Sequence, residues 1–547
     1  MAVPKEFTQL AQRRAWDWPL RLLLLVVLMA VGVDALGQTD PRPGETDPLG
    51  KPSRYTLFPD QELLAVLAHD PAMAGLNPEF SFNSFAPSAD LTTLTPLGGA
   101  TNLALDRGAA DMRAAAGRIL APDHDQVVYA RRIGSSVAVA FLGYTDSTTT
   151  LSPLANQLPD STEVFDIAVG DLDKRADSDG NNHDEVVVCF ATTPNYAVRV
   201  AVLDYTVPAP ALSAPVRPQA TTTAQASRRL NPNILPIDAV VSCTLGDFDG
   251  DGQNEIAVVG VGGEQTLWVS TFRYRIDETG RRTLQEASTA ERGPPPEVIP
   301  GFDEQFFAGS VDVTAGDFNG DGRDDLAISC VTAIRGLGFE FTPRVILAGS
   351  DRDLKLTFAG QYRRIIWATD GFNAWDRVGA QVVSGLFKFD PGNGFGFDRR
   401  QLALVSNHNS RSIEPSQTFV LISILTVSDD LQRVTRIGDE TALKYPRFDN
   451  TITSHVSVVA GGFSGNGDIT NPLWSLAVGT WVVPSIFDLR VLKVGPRGPS
   501  VTFTKRYAQP VLPEFGRFPL VAYDADGDSM YLGTPVHFTI SNLIRPQ

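Results

Sequence analysis

Hydrophobic positions along this chain fall in short blocks, not in helical stripes. Runs such as SVAVAFLGY, AVRVAVLDY, TLWVSTFRYRI, FVLISILTV and FDLRVLKV are rich in Val, Ile, Phe and Tyr and are bounded by Gly, Pro or Asp. Alternating or short continuous apolar runs between turn residues predict β-strands. Helix-like spacing appears in two places near the N-terminus, Asp60–Ala68 (DQELLAVLA) and Asp106–Arg118 (DRGAADMRAAAGR), and these are the two helices the pattern predicts.

The blocks recur as a unit. DIAVGDLDKRADSDGNNHDEVVVCFA, VVSCTLGDFDGDGQNEIAVVG and DVTAGDFNGDGRDDLAISC each read as an apolar run, an Asp/Gly loop and a second β-rich run, with four fainter copies elsewhere. Aligned on the first loop position, the seven copies begin at Arg118, Asp171, Asp247, Asp317, Leu386, Phe463 and Asp524, at broadly similar intervals. Each interval holds about four strands. One four-stranded sheet cannot bury both of its faces, but a ring of such sheets can. The expected fold is therefore all-β: a seven-bladed β-propeller of four-stranded antiparallel blades. The propeller is placed at 100–547, after a Pro/Gly-rich linker and N-terminal segment at 38–99. The seventh loop leaves only 524–547 for the rest of its blade, less than any earlier blade uses. Either an N-terminal strand completes that blade, or the last blade is truncated.

The loops carry the candidate chemistry. In repeat three, Asp247, Asp249, Asp251 and Glu255 stand at positions 1, 3, 5 and 9, and in repeat four Asp317, Asn319, Asp321 and Asp325 stand at the same places. Gly252 and Gly322 at position 6 can take φ > 0 and curl the loop so that the oxygens converge. The backbone carbonyls of Gln253 and Arg323 at position 7 add another donor. Four or five protein oxygens plus water satisfy Ca²⁺, whereas Mg²⁺ retains its waters and a stricter octahedron. Neither loop offers sulfur or imidazole, which disfavours zinc and copper. Repeat two supplies Asp171, Asp173, Asp179 and Asp184 around an insertion, and repeat seven supplies Asp524, Asp526 and Asp528 without the position-6 glycine. An EF-hand is excluded: position 12 is Val258 or Ile328 instead of Glu, and strands flank the loop.

The strand–DxDxDG–strand unit resembles the FG-GAP (integrin-alpha-type) and VCBS repeats. The GTP of MYLGTP is similar to the end of that pattern, and Val378-Gly379 stands where a Phe-Gly pair would. The resemblance covers roughly residues 100–547. It implies a seven-bladed propeller with Ca²⁺ in hairpin loops on one rim, and a role in adhesion or ligand binding outside the cytoplasm.

Charge and cysteine usage narrow the rest. With 46 Lys plus Arg against 63 Asp plus Glu, the net charge of −17 argues against nucleic acid and anionic lipid as partners. Cys189, Cys243 and Cys330 sit in strand-like apolar runs, lack metal-ligand spacing and read as small buried hydrophobes. Basic residues up to Arg21 precede an apolar run, Leu22–Val33, that is too short for a membrane span. Ala35 and Gly37 follow at cleavage-site spacing, so residues 1–37 read as a signal peptide and the product as secreted, cell-surface or periplasmic. An uncleaved anchor is the alternative, and the only membrane contact the sequence offers. The motifs of zinc proteases, nucleophile elbows and P-loops are missing, and six scattered His have no paired spacing. The expected function is a non-enzymatic calcium-binding module for a protein or glycan ligand. The alternatives are a hydrolase or lyase acting on polysaccharide or phospholipid, or its accessory propeller, and a purely structural surface protein.

Overall fold

The computed structural model describes strands from Leu63 to Tyr523 and most of their connections. Residues 1–62, 524–547 and several loops, among them 174–182, 365–378, 388–398, 462–473 and 509–519, lie outside the description. The chain divides into two units, 1–57 and 58–547, and all that follows concerns the second. Among the described residues it contains 29 strands and no helix.

The strands form seven antiparallel sheets, six of four strands and one of five. Five repeats follow one scheme, in which four sequential strands lie side by side. In repeat three these are Val241–Gly246, Glu255–Val261, Leu267–Ile276 and Arg282–Arg292. Repeat one departs from the expected four, because Ala155–Leu158 also pairs with Ser136–Thr145. The leading strands are Met112–Gly117, Thr162–Gly170, Val241–Gly246, Glu304–Gly316, Ala380–Gly385, Val456–Gly461 and Leu520–Tyr523. Each touches the next, and the last touches the first, so they form a cycle. The architecture is propeller-like.

The last sheet combines the two ends of the described chain. Leu520–Tyr523 pairs with Leu63–Asp70, in register from Leu63 opposite Tyr523 to Val66 opposite Leu520, and Glu79–Pro87 and Leu94–Ala104 complete the sheet. The boundary drawn at residue 100 therefore falls inside a strand, and N-terminal strands supply this sheet's remaining members.

The described parts of both expected helices, 63–68 and 112–117, are strands instead. Leu63–Asp70 is held between two neighbours, and Met112–Gly117 is the leading strand of repeat one. Ala114, Ala115 and Ala116 are buried there. Where leading strands crowd together, small side chains fit, and tertiary packing overrides the helical preference of alanine.

The core lies between sheets. Along Glu185–Thr192, Val186, Val188 and Phe190 pack towards repeat one, while Val187, Cys189 and Ala191 pack towards repeat three. Burial on both faces explains why these second strands are continuously apolar. Similar layers join repeats three to four, four to five and five to six. All three cysteines are buried in these layers, and none forms a disulfide.

The leading strands line a central cavity of about 250 Å³. Polar side chains lace them together there. The carboxylate of Asp166 accepts hydrogen bonds from the Ser242 hydroxyl (2.8 Å) and the Cys243 N–H (3.1 Å), and Arg113 pairs with it at 3.4 Å. Asp312 accepts from the Val382 N–H (3.2 Å) and Gln381 from the Val458 N–H (3.1 Å), each on the following sheet.

Candidate metal centre

The loops of six repeats start from the same register. The leading strand ends in glycine in six repeats, and that glycine pairs with the residue opening the second strand: Gly117 with Gln126, Gly170 with Glu185, Gly246 with Glu255, Gly316 with Asp325, Gly385 with Gln401 and Gly461 with Ser475. A Cβ at Gly246 would stand 2.9 Å from Asp324 Oδ2, so glycine makes room for a side chain of the next repeat. At the second loop position a large apolar side chain plugs the layer between sheets: Leu172, Phe248, Phe318 and Phe387 are all at most 1% exposed.

The repeat-three loop is built by its own carboxylates. The Gly250 and Gly252 backbones have φ of 76° and 84°, a region that costs other residues strain. Asp247 Oδ2 accepts from the Gly252 N–H (2.8 Å), Asp249 Oδ1 from the Asp251 N–H (3.0 Å) and Glu255 Oε2 from the Phe248 N–H (3.2 Å). One oxygen of each carboxylate thus holds the loop. Of the others, Asp247 Oδ1 is buried without a hydrogen-bond partner, while Asp249 Oδ2 and Glu255 Oε1 both face the Arg273 guanidinium, the latter at 3.4 Å. Among the described residues, Asp247, Asp249 and Glu255 are the group whose ligand atoms all lie within 4.8 Å of one another, close enough for one ion.

This arrangement fits a hard divalent cation. The donors are all carboxylate oxygens, one of them is orphaned in the interior, and a guanidinium stands against the other two. Asp247, Asp249 and Glu255 would hold the ion, which would supply the positive charge that the cluster lacks. The electrostatics point the same way. Burial and the neighbouring Asp249 push the Glu255 carboxyl up to about 8, and burial also raises Asp247.

The other predicted ligands are placed differently. Asp251 is exposed, and its carboxylate accepts from the Gln253 N–H (2.8 Å) outside the cluster. The Gln253 side chain reaches back to the Leu172 carbonyl of repeat two. In repeat four, both oxygens of Asp317 are taken by backbone N–H groups, at 2.6 Å from Gly320 and 2.9 Å from Gly322. Asn319 accepts from the Asp321 N–H (2.9 Å), and Asp321 is paired with Arg323 (2.5 Å). The same loop motif therefore does not gather its side chains here as it does in repeat three. Asp325 still resembles Glu255: it accepts from the Phe318 N–H (3.3 Å), and burial and Asp321 push it up to about 8.

In repeat two, Asp171 and Asp173 flank the start of the loop, and Asp179 lies outside the described residues. Asp184 stands one residue before the ninth position. Its Oδ2 accepts from the Arg118 N–H of repeat one (2.8 Å), and Glu185 takes the ninth position, accepting from the Leu172 N–H (2.8 Å). Burial raises the Glu185 carboxyl well above its usual range, and the charges of Asp173, Asp204 and Asp171 add to the effect. Asp524, Asp526 and Asp528 lie outside the described residues.

Two features of the loops escape the sequence pattern. The residue before position 9 links each loop to the previous one: the N–H groups of Asp184, Asp324, Arg400 and Trp474 donate to the carbonyls of Arg118, Asp247, Asp317 and Leu386 at 2.8–3.0 Å. Asn254 makes the equivalent link through its side chain, to the Asp171 carbonyl (3.0 Å). Four of these five links run through the backbone, and the residues differ, so no side-chain pattern marks them in the sequence. The second feature is the ninth residue itself. Gln126 and Gln401 cap their loops as Glu255 does, through the Leu120 N–H and the Phe387 N–H (both 2.7 Å), but without charge. Across repeats one to five, an acid stands at position 9 where positions 1 and 3 carry Asp or Asn, and a neutral Gln where they do not; repeat six has Ser475 there.

The raised carboxyl makes stability depend on pH. A carboxyl raised in the folded state adds stability that is complete below its unfolded value near 4.5 and is lost as pH rises through about 8. Metal-free protein should therefore lose thermal stability between pH 4.5 and 8. Glu255→Gln should flatten that loss, raise Tm in EDTA at pH 8 by a few degrees (about 2–5 °C) and remove the repeat-three calcium response. Thermal melts of both proteins across pH, with EDTA and with Ca²⁺, check all three outcomes.

No family model matches the chain, and no curated protein matches it. Among solved structures, a protein from Lactobacillus plantarum aligns at 12% identity over 75% of this chain and 88% of its own, with a TM-score of 0.33. An exotype rhamnogalacturonan lyase, YesX, aligns at 10% identity over 88% of this chain and 85% of its own, also at 0.33. A Bacillus licheniformis rhamnogalacturonan lyase aligns at 11% identity over the same shares, again at 0.33. Among the described residues no helix is long and apolar enough to cross a membrane.

Proposed function

We propose that this chain is an exported, calcium-binding β-propeller of seven blades, kin to the FG-GAP and VCBS repeat proteins, which acts as a non-enzymatic binding or adhesion module for a protein or glycan. The observation that carries this reading is the convergence of three carboxylates, one with an orphaned buried oxygen, in a loop whose pattern recurs along the chain. Seven sheets whose leading strands touch in a cycle support the blade count. Calcium locks the loops of one rim, and a rigid rim loses little entropy when it captures a ligand.

A cleft of about 640 Å³ opens between the third and fourth loops, lined by Asp249, Asp251, Asp321, Arg323 and Arg352. Carboxylates and two guanidinium groups in one cleft suit a ligand carrying hydroxyl or carboxylate groups, which describes both glycans and acidic protein loops. Glycan and protein arrays probed in millimolar Ca²⁺ and in EDTA test the reading. Saturable, calcium-dependent retention with the ligand recovered intact is expected. Cleavage of a retained polysaccharide would contradict the non-enzymatic assignment, and retention indifferent to EDTA would contradict the role of the loops.

A further inference from the structure

We infer that Arg273 is an internal competitor of the metal at the repeat-three loop, holding Asp249 and Glu255 together when the ion is absent and setting how readily the ion enters; this rests on the calcium reading above. Arg273 lies on the third strand of its sheet, Leu267–Ile276, directly after Phe272, which pairs with Ile256. It therefore stands across from Glu255 at the end of the ladder. Its guanidinium pairs with Asp249 Oδ2 and reaches Glu255 Oε1 at 3.4 Å, the two oxygens that the loop's own N–H groups leave free. A guanidinium against these two oxygens competes with a cation for their lone pairs and opposes its charge. Metal entry at this loop therefore works against the Arg273 contacts.

The equivalent position shows that this charge is particular to repeat three. In repeat two, Val186 pairs with Leu203, which places Asp204 across from Glu185. That carboxylate is bound in turn by Arg282 of the next sheet (Nε, 2.7 Å). In repeat four, Leu326 pairs with Ala348, which places Gly349 across from Asp325. One register position thus carries Arg, Asp and Gly beside three related loops, and of these three only repeat three brings a cation to the ligand oxygens from it. The Arg273 side chain is 26% exposed, against 7% for Asp249 and 2% for Glu255, so the guanidinium has a solvent side towards which it can withdraw while the carboxylates stay in place.

A charge-assisted pair contributes enough to shift affinity by about tenfold or more when it must be broken first. Calcium titration calorimetry of the full chain tests this, with Asp171→Asn and Asp317→Asn in the background to silence the second and fourth loops. Arg273→Gln should tighten calcium binding by about tenfold. It should also lower Tm in EDTA, because like charges then face one another, and so widen the calcium-induced rise in Tm. Equal or weaker calcium binding by Arg273→Gln, with binding intact in the parent, overturns the competitor role alone. No calcium binding by either protein overturns the competitor role and the calcium reading together. Should Arg273→Gln fail to fold, the parent labelled with ¹⁵N-arginine gives an independent readout. Saturating Ca²⁺ should shift the Arg273 Nε–H signal towards that of a solvated guanidinium, and an unmoved signal on calcium binding overturns the proposal.

Discussion

Removing calcium from the purified protein with EDTA is expected to lower its Tm by about 5 °C or more, with recovery in millimolar Ca²⁺ but not in equal Mg²⁺. The effect follows from charge and burial. Glu255 is 1% exposed and Asp325 4%, and both carboxyls are pushed up to about 8 by burial and by neighbouring carboxylates. Such groups are costly when ionised without a cation. A ligand that binds only the folded state stabilises it by an amount that grows with the logarithm of its concentration over Kd, about 2.7 kcal/mol for one site at a hundredfold excess. Mg²⁺ dehydrates reluctantly and demands a strict octahedron, and three carboxylates on a curled loop do not impose one. Combining Asp249→Ala with Asn319→Ala should remove much of the response, most of it through Asp249, which belongs to the converged carboxylate group of repeat three. Differential scanning calorimetry of the two proteins, in EDTA and in each cation, checks the prediction.

A second large effect is expected from proline at the junction of the two ends. Ala65 pairs with Val521 on one side and Ser84 on the other, so Leu63–Asp70 is an internal strand. Proline there removes an N–H from the ladder and strains the strand, at a cost of about 3 kcal/mol or more. Because this strand joins Leu520–Tyr523 to the rest of its sheet, the loss opens the cycle of leading strands. Ala65→Pro should lower Tm by about 5 °C or more and expose Leu520–Tyr523 to hydrogen exchange. An unchanged melting curve and unchanged protection would show that the N-terminal strands are not part of the ring.

The sequence made the strand content and the repeat plainly legible, because burial on both sheet faces leaves a strong trace. VVVCFA is apolar throughout since alternate residues feed two different interior layers. The loops were legible for a similar reason: position 1 of each repeat follows a strand-ending glycine wherever both are described. What the sequence hid were relations across blades. Asp184 and Glu185 are adjacent acids, and only the pairing of Glu185 with Gly170 shows which one faces the loop. Arg273 lies on another strand from Glu255, with nothing local to mark it as a partner of the cluster. The alanine-rich Met112–Gly117 read as helix because its strand conformation is imposed by neighbours distant in sequence, a preference that no local window contains. The same holds for Leu63–Asp70, whose partner Leu520–Tyr523 comes from the opposite end of the described chain.

The most direct test of the central claim is metal analysis by mass spectrometry of protein at equilibrium dialysis with millimolar Ca²⁺, read as the excess over the dialysate, beside Asp247→Asn/Asp249→Asn. At least one calcium per chain is expected in the parent, with a lower count in the double variant. A parent that holds no calcium, or a variant that holds as much as the parent, would contradict the assignment of Asp247, Asp249 and Glu255 as a cation site.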